Sequence, residues 1–303
     1  MASDKGCGRG KVSRRDFLMA TAAGLGALPC LAALGEEKGK RSAIERVTLG
    51  KTKVRPTRLG FGTGSNGGQV QRALGEEGLA KVIRHAWDRG IRYIDTADHY
   101  HIHPLVGTAI KGLPREEMVL LTKIEWEDGP DINKELDRFR KELGTDYFDI
   151  VLLHCMSEAG WPEKMKKLGD GLLAAKEKGI VRAIGTSSHG LPALREVAAC
   201  PWVDVHLCRV NHKGHHMDGP TGKWAEPGMV EPVMEQVKKI HAAGKGVLGM
   251  KLIGNGDFKD PEERERSIQA VMKCPHVDAV TIGLKSPAEV DEAIERINRA
   301  LNG

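Results

Sequence analysis

The sequence predicts an α/β protein built as a single (β/α)8 barrel of the TIM type. Three observations carry that prediction. Eight short apolar runs, most of them followed by a helical pattern, fill about 250 residues, the size of such a barrel. Several runs, such as Ile150 to Leu153 and Val280 to Ile282, are apolar or nearly so, as strands buried on both faces are. Gly90, Gly144, Gly179 and Gly244 stand where helices should end.

The elements follow in order. A hairpin-like opening occupies Glu45 to Gly50 and Val54 to Arg58. The predicted strands are then 59–62, 93–96, 118–123, 148–154, 181–186, 203–210, 246–251 and 279–283. Helical patterns between them cover 77–89, 133–142, 165–178, 194–199, 230–241, 261–273 and 287–301. No linker or low-complexity tract interrupts the series. A doubly wound dinucleotide fold is the architectural rival, and Gly60, Gly62 and Gly64 superficially suit it. Yet no helix opens promptly after these glycines, and no acidic residue follows at the ribose-binding distance.

In a parallel barrel the chemistry sits where the strands end. Asp95, Lys123 and His154 close three successive predicted strands, and Tyr100 follows Asp95 by five residues. Tyrosine stays protonated to about pH 10, and a nearby lysine cation stabilises its phenolate and draws the pKa downward. Asp95 can hold that lysine, and His154 can donate a hydrogen bond to a substrate carbonyl. Each residue alone has a plainer reading: a helix cap, a solvated lysine, a structural histidine, a cover for the barrel mouth. Their joint spacing favours a proton-transfer site.

These residues resemble the Asp, Tyr, Lys and His tetrad of the aldo-keto reductases, in order and in local context. Gly60-Phe61-Gly62-Thr63 is similar to that family's first cofactor-contacting turn. Gly185-Thr186-Ser187-Ser188 is similar to its carboxamide-binding strand end, and Leu143 to Asp149 to the passage before the histidine. The resemblance runs from about Val47 to the C-terminus. It implies reduction of an aldehyde or ketone by NADP(H), with NAD(H) possible and alcohol oxidation as the reverse. It implies cofactor contacts at Gly62, Thr63, Asp95, Ser187, Ser188, Met250, Lys251, Gly283, Lys285 and Ser286. Lys285, Ser286 and the amides opening the last helix also make a phosphate site on chemistry alone, through charge, hydroxyl and helix N-terminus. The chain departs from the commonest pattern at Ser188 (family Asn), Leu207 (Gln), Met250 (Tyr) and Asp291 (Arg). A carboxylate at 291 would repel a 2′-phosphate, yet on a helix it can point outward while Lys285 sits at the strand end, so NADP(H) stays favoured. The departures keep a second class in view, a nucleotide-binding sensor or structural subunit with little turnover.

Residues 1–35 read as an export signal. Ser13-Arg14-Arg15-Asp16-Phe17-Leu18 is a twin-arginine pattern ahead of a small, mildly apolar run, with Ala33-Leu34-Gly35 as a cleavage site. Twin-arginine export machinery and a periplasmic location are the expectation, with residues 36–303 as the barrel domain. No segment is apolar enough for a stable membrane span. The net charge is +5. Residues 1–35 hold five basic and two acidic groups, so the remainder carries only +2, which argues against a nucleic-acid partner. Cys155, Cys200, Cys208 and Cys274 show no paired spacing, and Cys155 and Cys208 are expected as small hydrophobes at strand ends.

Histidines 99, 101, 103, 206, 212, 215 and 216 invite a metal reading. No clear carboxylate–histidine set joins them, so they read as lining a polar substrate mouth or as solvated, and no metal is expected. The tract from Asn211 to Trp224 is long for a barrel connection and reads as a lid or substrate-selecting loop. Trp126 and Trp224 could pack over an apolar substrate. A metal-dependent hydrolase on the same barrel is the remaining option.

Overall fold

A computed structural model describes residues 40–224 and 226–303. The predicted signal at 1–35 lies outside the described residues. Eight parallel strands close into a barrel in sequence order: β1 (Leu59–Gly62), β2 (Tyr93–Asp95), β3 (Val119–Ile124), β4 (Phe148–Met156), β5 (Val181–Ser188), β6 (Val205–Arg209), β7 (Gly246–Met250) and β8 (Ala279–Gly283). The predicted fold class is the observed one. One helix of the outer layer follows each strand: α1 (Gly75–Asp88), α2 (His103–Ile110), α3 (Ile132–Leu143), α4 (Lys166–Glu177), the single turn α5 (Leu191–Leu194), α6 (Val230–Ala242), α7 (Pro261–Met272) and α8 (Pro287–Asn302).

Local chemistry sets the helix ends. The Asp131 carboxylate accepts from the amides of Asn133 and Lys134 and so caps α3. Gly144 at φ 65° closes it in the left-handed conformation. Between those caps Ile132, Leu136, Phe139 and Leu143 recur at helical spacing and are buried. Asp260 and Ser286 cap α7 and α8, each with proline in the first turn.

Helix α2 is absent from the sequence reading, because its eight residues include Pro104 and Gly107 and read as a connection. Proline is harmless in a first turn. Gly107 is required by packing, since a Cβ there would lie 2.5 Å from the Glu142 carbonyl oxygen of α3. The pattern expected at 194–199 is also displaced, with the helical turn at Leu191–Leu194 and irregular turns after it.

Side chains alternate across every strand, and this two-residue period positions the site. On β3, Val119 and Leu121 join an inner apolar cluster, whereas Leu120 and Ile124 pack outward against helices. On β4, Ile150 and Leu152 point in, and Val151 and Leu153 point out. The inner cluster also takes Tyr93, Ala183, Val205, Leu207, Leu248 and Ala279. Leu49 and Val54 of the opening segment join it from the N-terminal end. An antiparallel bridge between Arg46 and Thr57 closes that opening on itself, and the Arg58 carbonyl ties it to the barrel by accepting from the Val280 amide of β8 at 2.7 Å. Deleting a wholly buried side chain of this cluster, as in Leu152→Ala, should cost about 2–5 kcal/mol.

Continuing each inward column toward the C-terminal face leads past the apolar layers to Asp95, Lys123, His154, Ser187, Arg209 and Met250. The fold gathers these residues into one ring through alternation alone.

Candidate active site

Lys123 is fully buried with its charge compensated. Its ammonium is paired with Asp95, donates to the Thr96 carbonyl at 2.9 Å, and donates to the Tyr100 hydroxyl at 3.3 Å. Burial acts to lower the Lys123 pKa, but the carboxylate of Asp95 and the Tyr100 oxygen outweigh it and hold the ammonium above its ordinary range. Tyr100 closes a 3-10 turn, Asp98–Tyr100, directly after β2. Arg72 donates to its carbonyl, and Gly64 lies so close that a Cβ there would sit 2.6 Å from the phenol oxygen.

The lysine does not bring the tyrosine pKa down. Burial pushes Tyr100 up to about 12, outweighing the pull of the Lys123 cation, while Asp95 adds to the rise. The phenol is therefore held protonated, the form a general acid needs before it reacts.

His154 is seated from the next strand. Its Nδ1 lies 2.9 Å from Glu125 Oε1, its carbonyl accepts from the Trp126 indole at 2.7 Å, and its ring meets Tyr100 edge-on at 5.6 Å. His99 approaches the other Glu125 oxygen at 3.3 Å. Burial lowers the His154 pKa, and the Glu125 hydrogen bond only partly restores it, so the ring is neutral at pH 7. With its proton on Nδ1 facing Glu125, a neutral ring offers a lone pair at Nε2. It then accepts from a hydroxyl. Donation to a carbonyl, the role expected from sequence, requires the second proton.

A cavity of about 610 Å³ opens over this cluster and runs outward between the ends of β7, β8 and α8. That volume lies within the range of small-molecule and cofactor sites. Asp95, Tyr100, Gly62, Met250, Lys251, Gly283 and Lys285 line it. Gly62 and Gly283 are register partners on adjacent strands, so bare backbone forms one wall. Lys251 holds a left-handed φ of 64° and donates to Asn255 Oδ1 at 2.8 Å. Burial, then the nearby Arg209 cation, lower its pKa to about 8.

Four predicted contacts lie away from this wall. The Thr63 hydroxyl donates to the Asp95 carbonyl at 3.0 Å. Ser187 Oγ accepts from the Cys155 amide at 2.9 Å. Ser188, one residue out of step with the inward column, bonds His206 Nε2 at 2.7 Å on the outer face of β5. Ser286 caps α8 by accepting from Glu289 N.

At the outer end, the expected repulsion from Asp291 is not what the geometry presents. Asp291 turns toward α1, where His85 and Arg89 meet it at 3.0 and 2.8 Å. Glu289 stands there instead, accepting from the Lys285 amide at 2.9 Å with its other oxygen 3.7 Å from the ammonium. Arg264 and Arg296 share Glu292, and all three line the cavity.

Sequence reasoning missed Glu125, although its place just after β3, level with His154, was the available signal. It also missed a buried pair behind the long loop: Arg209 donates from Nε and a terminal nitrogen to Asp218 Oδ1 at 2.8 and 2.6 Å. The tryptophans differ. Trp126 supports His154, while Trp224 is largely exposed with its ring against His189. His101 and His103 do not share a side as an extended strand would give. His101 ends the 3-10 turn at φ 47°, and His103 is buried between Glu142 and Thr122.

A model of the aldo/keto reductase family matches residues 58–301. An aldo-keto reductase of Mycolicibacterium paratuberculosis is 32% identical over 230 residues, covering 68% of this chain and 73% of that one. The methylglyoxal reductase DkgB of Salmonella typhi is 33% identical over 136 residues, covering 43% of this chain and 50% of the relative. The match thus spans about half the length of that curated relative. Among solved structures, the holo form of an aldo-keto reductase from Bacillus halodurans superposes with a TM-score of 0.67 at 19% identity, over 84% of this chain and 91% of the other. Those last values speak for the barrel alone. Since the family model runs from the first strand through the last helix, and a relative nearly one-third identical spans over two thirds of this sequence, the chain belongs to the aldo/keto reductase family.

Proposed function

We propose that the chain is a nicotinamide-dependent oxidoreductase that reduces an aldehyde or ketone to an alcohol, with NADP(H) as its cofactor. The observation that carries the proposal is the buried Asp95–Lys123–Tyr100 chain at the floor of the cavity. Its phenol is held protonated, and its ammonium meets no other carboxylate among the described residues.

The residues present fit a nicotinamide nucleotide. Gly62 and Gly283 stand in the cavity lining, and the Thr281 hydroxyl beside them has no hydrogen-bond partner among the described residues. Lys285 and Arg296 would meet phosphate at the outer end, with Glu289 displaced from the Lys285 amide. When bound, the reduced cofactor supplies the hydride. This chain's own work is proton transfer and orientation. Tyr100 Oη gives its proton to the carbonyl oxygen. Lys123 stabilises the phenolate left behind, and Asp95 keeps Lys123 charged. His154, set by Glu125, orients the oxygen, as donor when doubly protonated and as acceptor from the alcohol when neutral.

A purified chain should oxidise NADPH in the presence of a carbonyl panel that includes methylglyoxal, and Tyr100→Phe should abolish most of that activity. Absence of turnover with nucleotide still bound would favour the sensor reading. Export is proposed on the Arg14-Arg15 pattern, and cell fractionation with Arg14→Lys/Arg15→Lys checks it, since retention of the normal distribution would end that proposal.

A further inference from the structure

The carboxylate nearest in sequence to the histidines of the loop between β6 and α6, Asp218, is taken by Arg209, and the fold brings them another. Asp257, from the loop between β7 and α7, places Oδ2 2.9 Å from His215 Nε2 and 2.9 Å from His216 Nε2. The three ligand atoms lie within 4.8 Å of one another. We propose that His215, His216 and Asp257 bind a borderline divalent cation of the zinc class, which clasps the two loops together at the rim of the cavity.

The donor chemistry selects the ion. Two imidazoles and one carboxylate suit zinc and its neighbours far better than calcium or magnesium, which prefer all-oxygen shells. The geometry is near what a small ion needs. Tetrahedral bonds of about 2.0 Å put ligand atoms about 3.3 Å apart, a little wider than the 2.9 Å contacts seen here. A metal would replace two hydrogen bonds onto one oxygen by three bonds to itself, leaving a fourth position to water.

The histidine loop is held in place before any ion arrives. Asn211, buried, accepts from the amides of Lys213 and His215 at 3.0 and 3.2 Å. It donates to the His215 and Lys251 carbonyls at 2.7 and 3.3 Å, so one amide group ties both loops. His216 and Asn255 carry left-handed φ values of 55° and 56°, one strained residue in each loop beside the cluster. Asp257 and Phe258 belong to the cavity wall, so an ion here fixes the flap that flanks the proposed nucleotide.

Zinc binding is read without turnover, so its outcome is independent of the reductase proposal. The tag-free full chain, stripped with chelator, is titrated with zinc chloride by calorimetry. One equivalent should bind, and His215→Ala/His216→Ala and Asp257→Asn should each weaken it at least tenfold. Zinc should raise the melting temperature of the wild type and leave that of each variant where it stands without metal. No saturable one-equivalent binding, or less than tenfold weakening in both variants, overturns the clasp.

Discussion

The two ends of the cavity are built on opposite electrostatic plans. At the floor, Lys123 and Asp95 are buried on neighbouring strands, and their positions follow from the alternation of β2 and β3. At the outer end, Lys285, Glu289, Arg264, Glu292 and Arg296 sit at least partly in solvent, on a strand end and on helices, and trade partners at their tips. A charge pair in the floor cannot be rearranged without leaving a bare ion in low dielectric, whereas each pair at the rim is screened and replaceable. The floor is thus committed to one chemistry, while the rim can change its ligand preference through single substitutions.

Breaking the floor should produce the largest effects. Tyr100→Phe should lower kcat by about 10²–10⁴-fold while nucleotide affinity, read by fluorescence titration, stays within a factor of two. Parallel loss of both would mean the phenol is structural. Asp95→Asn should destabilise the fold by roughly 3–5 kcal/mol, because Lys123 keeps its charge and loses its compensation. Urea unfolding measures this, and a change under 1 kcal/mol would show that water or a rearranged partner reaches the lysine.

The pH dependence sharpens the contrast within the floor. Burial holds the folded pKa of His154 below the usual histidine value of about 6.5, so the doubly protonated ring is populated only on the acid side. For carbonyl reduction kcat/KM should rise as pH falls through that pKa, and alcohol oxidation should fall over the same window. The Glu125 hydrogen bond supports protonation, so Glu125→Gln should move both limbs to lower pH. Profiles that ignore the substitution would detach Glu125 from the reaction.

The rim should respond least. Lys285→Ala should weaken NADPH binding about two- to fivefold, as an exposed ion pair warrants, and Glu289→Gln should strengthen it by a similar factor. Added salt should erode the Lys285 effect and leave the Tyr100 effect intact. A tighter NADH complex, or no change on removing Lys285, would assign the 2′-phosphate elsewhere or exclude it.

The same contrast explains what could be read from the amino-acid order. Strand ends were legible because apolar runs stop at polar residues, and Asp95, Lys123 and His154 stand at those stops. Ser188 was not legible as an outward residue. Its type suits a ligand contact, and only the register against His206 shows which way it faces. Asp291 was legible only as a helix residue able to point outward, since its actual partners depend on the rotation of α8 against α1. Asp257 joins His215 and His216 across two loops some 40 residues apart, a proximity that no local spacing encodes. Helix α2 was hidden by Pro104, which a first turn tolerates, and by Gly107, whose reason lies in packing against α3.

The hydrophobic stopper formed by Leu49 and Val54 makes the barrel a vessel with one opening. Below the reacting ring, the Tyr93 hydroxyl is buried and has no hydrogen-bond partner, so no hydrogen-bonded path among the described residues runs downward from Asp95 through it. Any proton that Tyr100 gives up must be restored from the mouth side. A ligand filling the mouth therefore also disconnects the relay from bulk water. Each catalytic cycle would run on the single proton loaded beforehand, with recharging deferred until product has left.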